Sequence, residues 1–375
     1  MSDDLPEPDR IEGAPHPRET QTVFGQAQAE AEFLEAFNSG RMHSGWMITG
    51  PRGVGKATLA YKIAGFLLAD QPDQGGGLFG DTPPAATSLA LDAEHPDMRL
   101  MLAESHPRLS VIRRPVNPDT GKLRTEITAE PVRALKKFFQ MSSADGGRRV
   151  VIVDVADEMN VSAANSILKE LEEPPALTTI LLLAHQPSAL LPTIRSRCRV
   201  LRCNTLGPDD MSAALTQAGI TIPETEAITA LAGGSVGEAI RLVNLDGLKL
   251  YADLVQLFDG LPNMPRPAAL RLAESCVGKA GEQRFPLMID LIDTFLARAA
   301  RAGLLGQPQT QGAPGEARLL ARLAPHDVAA RKWATLQQDI SARVRRGRAV
   351  NLDPAALILD MLFKIEETVR SAAAT

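Results

Sequence analysis

The sequence has 375 residues, 44% hydrophobic and 23% charged, which suits two or three domains with cores of their own and argues against a mostly disordered chain. Lys and Arg number 40 against 45 Asp and Glu, for a net charge of −5, and aromatics are 4%, so neither a globally basic nucleic-acid binder nor a base-stacking surface is indicated. No run reaches the ~20 apolar residues of a membrane span, and the opening MSDDLPEPDR is acidic and polar where a secretory leader would be basic and apolar, which makes the cytoplasm the expected compartment.

In chain order, residues 1–20 carry four prolines and many charges and read as a flexible tail. A helical pattern over 26–39 leads to a short buried strand at 46–49, the glycine-rich run 50–58 and a helix to residue 68. The Gly/Pro-rich stretch 70–92 reads as a loop or insertion. A strand at 109–113, a loop at 117–125 and a helix over 130–141, with Val132, Leu135, Phe138 and Phe139 on one side, come next. The apolar run 150–154, ending in Asp154, has the mark of a central parallel strand buried on both faces. A helix over 162–173 follows, stopped by Pro174 and Pro175. Strands at 179–184 and 199–202 flank a short turn or helix at 190–195. Strands alternating with helices predict a parallel sheet covered on both faces. Beyond residue 204 only helical patterns remain, short to 244 and longer from 248 to 373, with 262–267 as a hinge between two helical units and 307–315 as a loop.

Gly50-Pro51-Arg52-Gly53-Val54-Gly55-Lys56 fits GxxxxGK between a strand and a helix. Glycines let several N–H groups converge on a phosphate at a helix N-terminus, and Lys56 would reach the outer phosphates. A working P-loop places Ser or Thr next, on Mg²⁺. Here that residue is Ala57, and Thr58 is one place late, a rotation of ~100° on a helix. Asp154 stands where an acid orients the metal through water, or else serves only hydrogen bonding. The following residue, Val155, cannot polarise an attacking water as a Glu would. Asp157 and Glu158 lie a few residues on. Cys198, Cys203 and Cys276 are too few for a disulfide framework, and neither they nor the six histidines show metal-ligand spacing.

The segment 163–175, AANSILKELEEPP, resembles the AANALLKxLEEPP segment of clamp-loader AAA+ subunits, and 191–198, LPTIRSRC, is similar to that family's LPTxxSRC. The His95-Pro96-Asp97 triplet and Asn351-Leu352-Asp353-Pro354 match it further. The chain thus resembles the clamp-loader AAA+ family of bacterial DNA polymerase III, and within it the delta-prime type. The resemblance implies a P-loop α/β domain (21–205), a small helical lid (206–262) and an all-α collar (263–375).

It further implies that Arg197, with Ser196 and Cys198 as motif neighbours, acts in trans as an arginine finger on the nucleotide of an adjacent subunit. The second-domain arginine of active relatives falls on Gly237, with Arg241 four residues on as a partial replacement, and Ala184-His185-Gln186 stands where active enzymes tend to carry Thr or Asn. Gly50, Arg52, Gly53, Val54, Gly55, Lys56, Ala57, Thr58 and Asp154 would then form a degenerate site that could retain ATP or ADP but does not require it. The zinc module of many members would fall at 71–88, which holds no cysteine, so no metal is expected. The implied partners are motor (tau/gamma) subunits and a delta subunit in a hetero-oligomer that loads the sliding clamp on primed DNA, with nucleotidyl transfer belonging to the complex. The basic run at Arg343, Arg345, Arg346 and Arg348 fits collar packing better than a DNA contact. The alternative is a motor subunit hydrolysing ATP in cis.

Overall fold

The computed structural model describes residues 7–70, 85–141 and 147–373; most of the 70–92 loop expectation and of the zinc interval therefore lies outside the described residues. The first unit, Met1–Thr221 with Ser235–Gly237, holds the α/β domain. Its elements are α1 (Ala27–Asn38), β1 (Gly45–Thr49), α2 (Lys56–Ala69), α3 (Pro96–Leu102), β2 (Leu109–Arg113), α4 (Ala129–Met141), β3 (Arg149–Asp154), α5 (Val161–Glu172), β4 (Thr178–Ala184), α6 (Pro192–Arg195), β5 (Arg199–Arg202) and α7 (Pro208–Gln217). The five strands form one parallel sheet in the order β2-β3-β4-β1-β5. β1 and β4 are buried along their whole length, as their unbroken apolar runs require of strands covered on both faces.

α4 and α5 cover one face of the sheet. Val132, Leu135 and Phe139 of α4 join Ala163, Ala164, Ile167 and Leu171 of α5 in a core with Val151, Val153, Ile180 and Leu182. Asn160 caps α5, its Oδ1 accepting the Ala163 N–H at 2.9 Å. α3 has no counterpart among the predicted elements. The His95-Pro96-Asp97 triplet builds its first turn: His95 Nδ1 accepts the Asp97 N–H, Pro96 occupies the first helical position, and Asp97 lies 2.9 Å from the buried His106 ring and 3.2 Å from Arg108.

Two expectations change here. The described part of the expected tail, 7–20, is seated on the α/β unit, with His16 fully buried. The second unit, Ile222–Gly234 with Glu238–Thr375, does not break at 262. It contains α8 (Thr225–Leu231), α9 (Val236–Asn244), whose first two residues belong to the first unit, α10 (Gly247–Asp259), α11 (Arg266–Glu274), α12 (Gly278–Leu305), α13 (Glu316–Leu323), α14 (Asp327–Ala349) and α15 (Pro354–Ala373). Between α10 and α11, Leu261 and Met264 are buried, Arg322 donates to the Leu261 carbonyl at 2.7 Å, and buried Glu366 accepts the Met264 N–H at 3.0 Å. A segment held this way is a clamp rather than a hinge. The 307–315 loop is likewise tied down by buried Glu316, which accepts from Gly312 N–H, Tyr251 and Arg298. Among the described residues no helix is long and apolar enough to cross a membrane.

Candidate functional site

The glycine run leaves β1 and turns into α2, so the P-loop sits at the C-terminal end of the sheet, with β4 between it and the end of β3. Gly50 backs onto the Cys203 carbonyl, and Gln26 Nε2 ties the Val54 carbonyl to that of Asn204. Gly53 has φ +75°, and a Cβ there would meet Ser235 Oγ at 2.4 Å, so no other residue fits without displacement. Helix α2 begins at Lys56, two residues earlier than the sequence suggests, because the left-handed Gly55 already closes the loop. Thr58 is turned inward and buried, while Ala57 stays half-buried at the first turn. The one-residue offset therefore removes the hydroxyl from the position a metal ligand needs.

Lys56 is folded onto its own loop: Nζ donates to the Gly50 carbonyl at 2.8 Å and to the Pro51 carbonyl at 2.5 Å. Burial pushes its amine down to about 8, against the pull of Cys203, Asp154 and Asp157. Asp154 ends β3 in register with Arg113 of β2. Burial, with Asp9 as the next contribution, pushes its carboxyl up to about 7. Val155 is buried. Asp157 is spent on backbone, accepting the His185 N–H at 3.0 Å and the Gln186 N–H at 3.3 Å, and Glu158 pairs with Arg114 at 2.8 Å. His185, at the sensor-like strand end, is driven down to about 4 by burial and then by Lys56, so it carries no charge at neutral pH.

Ser235 Oγ donates to the Arg52 carbonyl at 2.8 Å, and the Gly237 N–H donates to the Gly53 carbonyl at 3.0 Å. The stretch 235–237 thus touches the P-loop through the Ser235 hydroxyl and the Gly237 N–H. Arg241, in the second unit, pairs with Glu238 and Asp290. The site has no hydroxyl at 57 and no carboxylate at 155 to fit a metal-bound nucleotide.

Arg197 lies elsewhere. It precedes β5, and β5 pairs with β1 starting at Arg199↔Trp46. β1 enters the P-loop only after Thr49. Arg197 therefore sits at the opposite end of the sheet from the chain's own P-loop, level with the start of β1 and about 16–20 Å of strand rise away at ~3.3 Å per residue. Its side chain is 37% exposed, with Nη2 2.8 Å from Glu172 Oε1 and Nη1 donating to the Thr193 carbonyl at 3.0 Å. Ser196 Oγ turns back to the Thr193 carbonyl. Cys198 is a packing residue, its thiol pushed up to about 12 by burial. Glu172 belongs to the LEEPP segment, one of the two motifs that meet at this turn, so its residue type and motif are a signal the sequence carries. Thr193 acts through its carbonyl, which no sequence signal reveals. In the second unit Arg343 is paired bidentately with Asp360, while Arg345, Arg346 and Arg348 are exposed along the last turns of α14.

The family described as "DNA polymerase III, delta subunit" matches residues 25–207. The chain is 32% identical over 259 residues to the DNA polymerase III subunit delta' of Pseudomonas aeruginosa, covering 68% of this chain and 69% of that protein. To the subunit delta' of Escherichia coli it is 27% identical over 339 residues, covering 89% and 92%. To the DNA polymerase III subunit gamma/tau of Mycobacterium tuberculosis it is 27% identical over 229 residues, covering 59% of this chain and 36% of that protein.

Proposed function

Because the chain belongs to the delta-prime subunit family of bacterial DNA polymerase III, we propose that it is a clamp-loader stator. In this reading it has no productive ATP chemistry of its own and lends Arg197 to the nucleotide of a neighbouring motor (tau/gamma) subunit. The observation that carries it is the separation of Arg197 from the chain's own P-loop by the length of β1: a guanidinium there meets only a phosphate supplied by another molecule. An arginine keeps its charge at any working pH, and its planar fork matches phosphate oxygens in the transferring state. Glu172 and the Thr193 carbonyl hold the fork in one orientation before a phosphate arrives. The expected partners are the motor subunits and a delta subunit, the complex acts on the sliding clamp and primed DNA in the cytoplasm, and the exposed arginines of α14 serve collar contacts.

The test is the DNA-stimulated ATPase of the complex reconstituted with motor and delta subunits. Arg197→Ala is expected to lower the rate by about tenfold or more with assembly intact. An unchanged rate rejects the finger. Glu172→Gln is expected to lower it less, and to have no further effect in the Arg197→Ala background, since it acts through that side chain.

A further inference from the structure

Residues 7–20 form neither helix nor strand, yet their polar groups are taken into the α/β unit. Asp9 Oδ1 accepts from Arg113 Nη1 at 3.2 Å, and Oδ2 lies 3.1 Å from Nε2 of the fully buried His16. The His16 ring packs edge-on against Tyr61 of α2, centroids 5.8 Å apart. Arg18 reaches Glu7 at 3.1 Å and Glu104 at 2.6 Å. A flexible tail would leave these charges in water. Burying such charges is costly without partners; Arg113 of β2 and Glu104 of the turn after α3 supply two of them, and Asp9 and His16 face each other within the segment.

The anchors mark where the segment runs. Arg113 is paired in register with Asp154. Tyr61 lies one turn beyond Ala57, on the same face of α2. Asp9 is close enough to Asp154 to be, after burial, the leading influence raising that carboxyl. Ile11 sits at another wall of the cleft: a Cβ built on Gly237 would come 2.8 Å from Ile11 Cδ1 and 3.0 Å from the Gly53 Cα. The segment thus spans from the acidic strand end to the contact of Gly237 with the P-loop. In a P-loop protein these are the surroundings of the metal and the phosphates. Asp9 adds a second carboxylate near Asp154 at the acidic strand end, and Arg113, the cation at that strand end, is already held by Asp9 and Glu104.

We infer that residues 7–18 are a built-in occupant of this chain's own nucleotide cleft and close its P-loop to nucleoside phosphates. The inference rests on reading 50–58 as a phosphate loop that has lost its metal chemistry. It supplies what the missing hydroxyl alone does not: a reason why nucleotide is kept out rather than merely left unhydrolysed.

The experiment follows a fluorescent ADP analogue by anisotropy in three forms of the full chain: wild type, Ile11→Ser/His16→Ser, and that double variant with Lys56→Ala. If the open state is a minor fraction, freeing the segment tightens apparent binding by about tenfold or more, and Lys56→Ala removes the gain. Lys56-dependent binding of equal strength in wild type and the double variant overturns the occlusion but leaves the nucleotide site standing. No binding by the folded double variant, or by a folded deletion of residues 1–20, overturns both readings. Should those variants fail to fold, amide hydrogen exchange of wild type decides: 7–20 should exchange slowly, and exchange as fast as a free peptide overturns the inference.

Discussion

Asp154 and Lys56 face one physical problem, a charge withdrawn from water beside a loop built for phosphate. Burial moves both toward neutrality, the acid up to about 7 and the amine down to about 8. For Asp154 the consequence has a sign. Between its ordinary value of 3.8 and about 7 the folded state holds a proton that the unfolded state has lost, so this group's contribution to stability falls as pH rises through that window. Asp154→Asn mimics the protonated form and escapes the loss. The variant's gain in Tm over wild type should therefore be several degrees greater at pH 8 than near pH 4, read from paired thermal melts. An equal shift at both would mean that the carboxyl is not held protonated. Ala57 and Thr58 carry the complementary lesson: the chemistry of a P-loop depends on which side of a helix one hydroxyl occupies, and 100° is enough to lose it.

At the scale of elements, the Ser-Arg-Cys turn owes its position to β1 and α5. A Cβ on Gly45, the first residue of β1, would come 2.9 Å from the Arg197 carbonyl and 2.9 Å from Leu171 Cδ2. The turn is seated on the strand with no room for a methyl group, and Glu172 at the end of α5 reaches the guanidinium from the same side. Gly45→Ala is expected to cost about 1–3 kcal/mol in denaturant unfolding and to lower the ATPase of the reconstituted complex by displacing Arg197. A variant as stable and active as wild type would show that the contact yields freely. The five strands were legible within a residue of their ends: β1, β3 and β4 as apolar runs, because strands buried on both faces have little choice of composition, and the edge strands β2 and β5 as short runs beside them. α3 was not: at seven residues it is too short to show a period, and its capping depends on one histidine and one proline.

At the scale of the whole molecule, the parallel sheet sets the P-loop at one end and Arg197 at the other, an arrangement suited to a subunit that acts on its neighbour. The purified chain alone should therefore hydrolyse no ATP with Mg²⁺ and primed DNA, beside a Lys56→Ala control. Hydrolysis lost in that control would make the chain a motor acting in cis. The division into two units was less accessible to the sequence than the strands. The boundary at 205 follows the end of the strand pattern and the one at 262 a proline-rich stretch, whereas the first unit runs on to Thr221 and takes in Ser235–Gly237. Glu366 reaches back 102 residues to the Met264 N–H and Glu316 gathers Tyr251, Arg298 and Gly312, all within the second unit.

What is written locally in the chain is strand composition, the spacing of GxxxxGK, the offset hydroxyl, the missing acid at 155 and the Ser-Arg-Cys motif. Each is a property of a few neighbouring residues and survives without tertiary context. Where those pieces stand with respect to one another is set by long-range packing in the fold. That packing put Arg197 beyond reach of its own P-loop, paired Arg241 with Glu238 and Asp290, spent Asp157 on the His185 and Gln186 amides, and drew the proline-rich opening segment onto the acidic strand end. These outcomes depend on pairings of charges and backbone groups far apart in the chain, and a buried charge accepts whichever partner the fold brings to it, at a separation no sequence window spans.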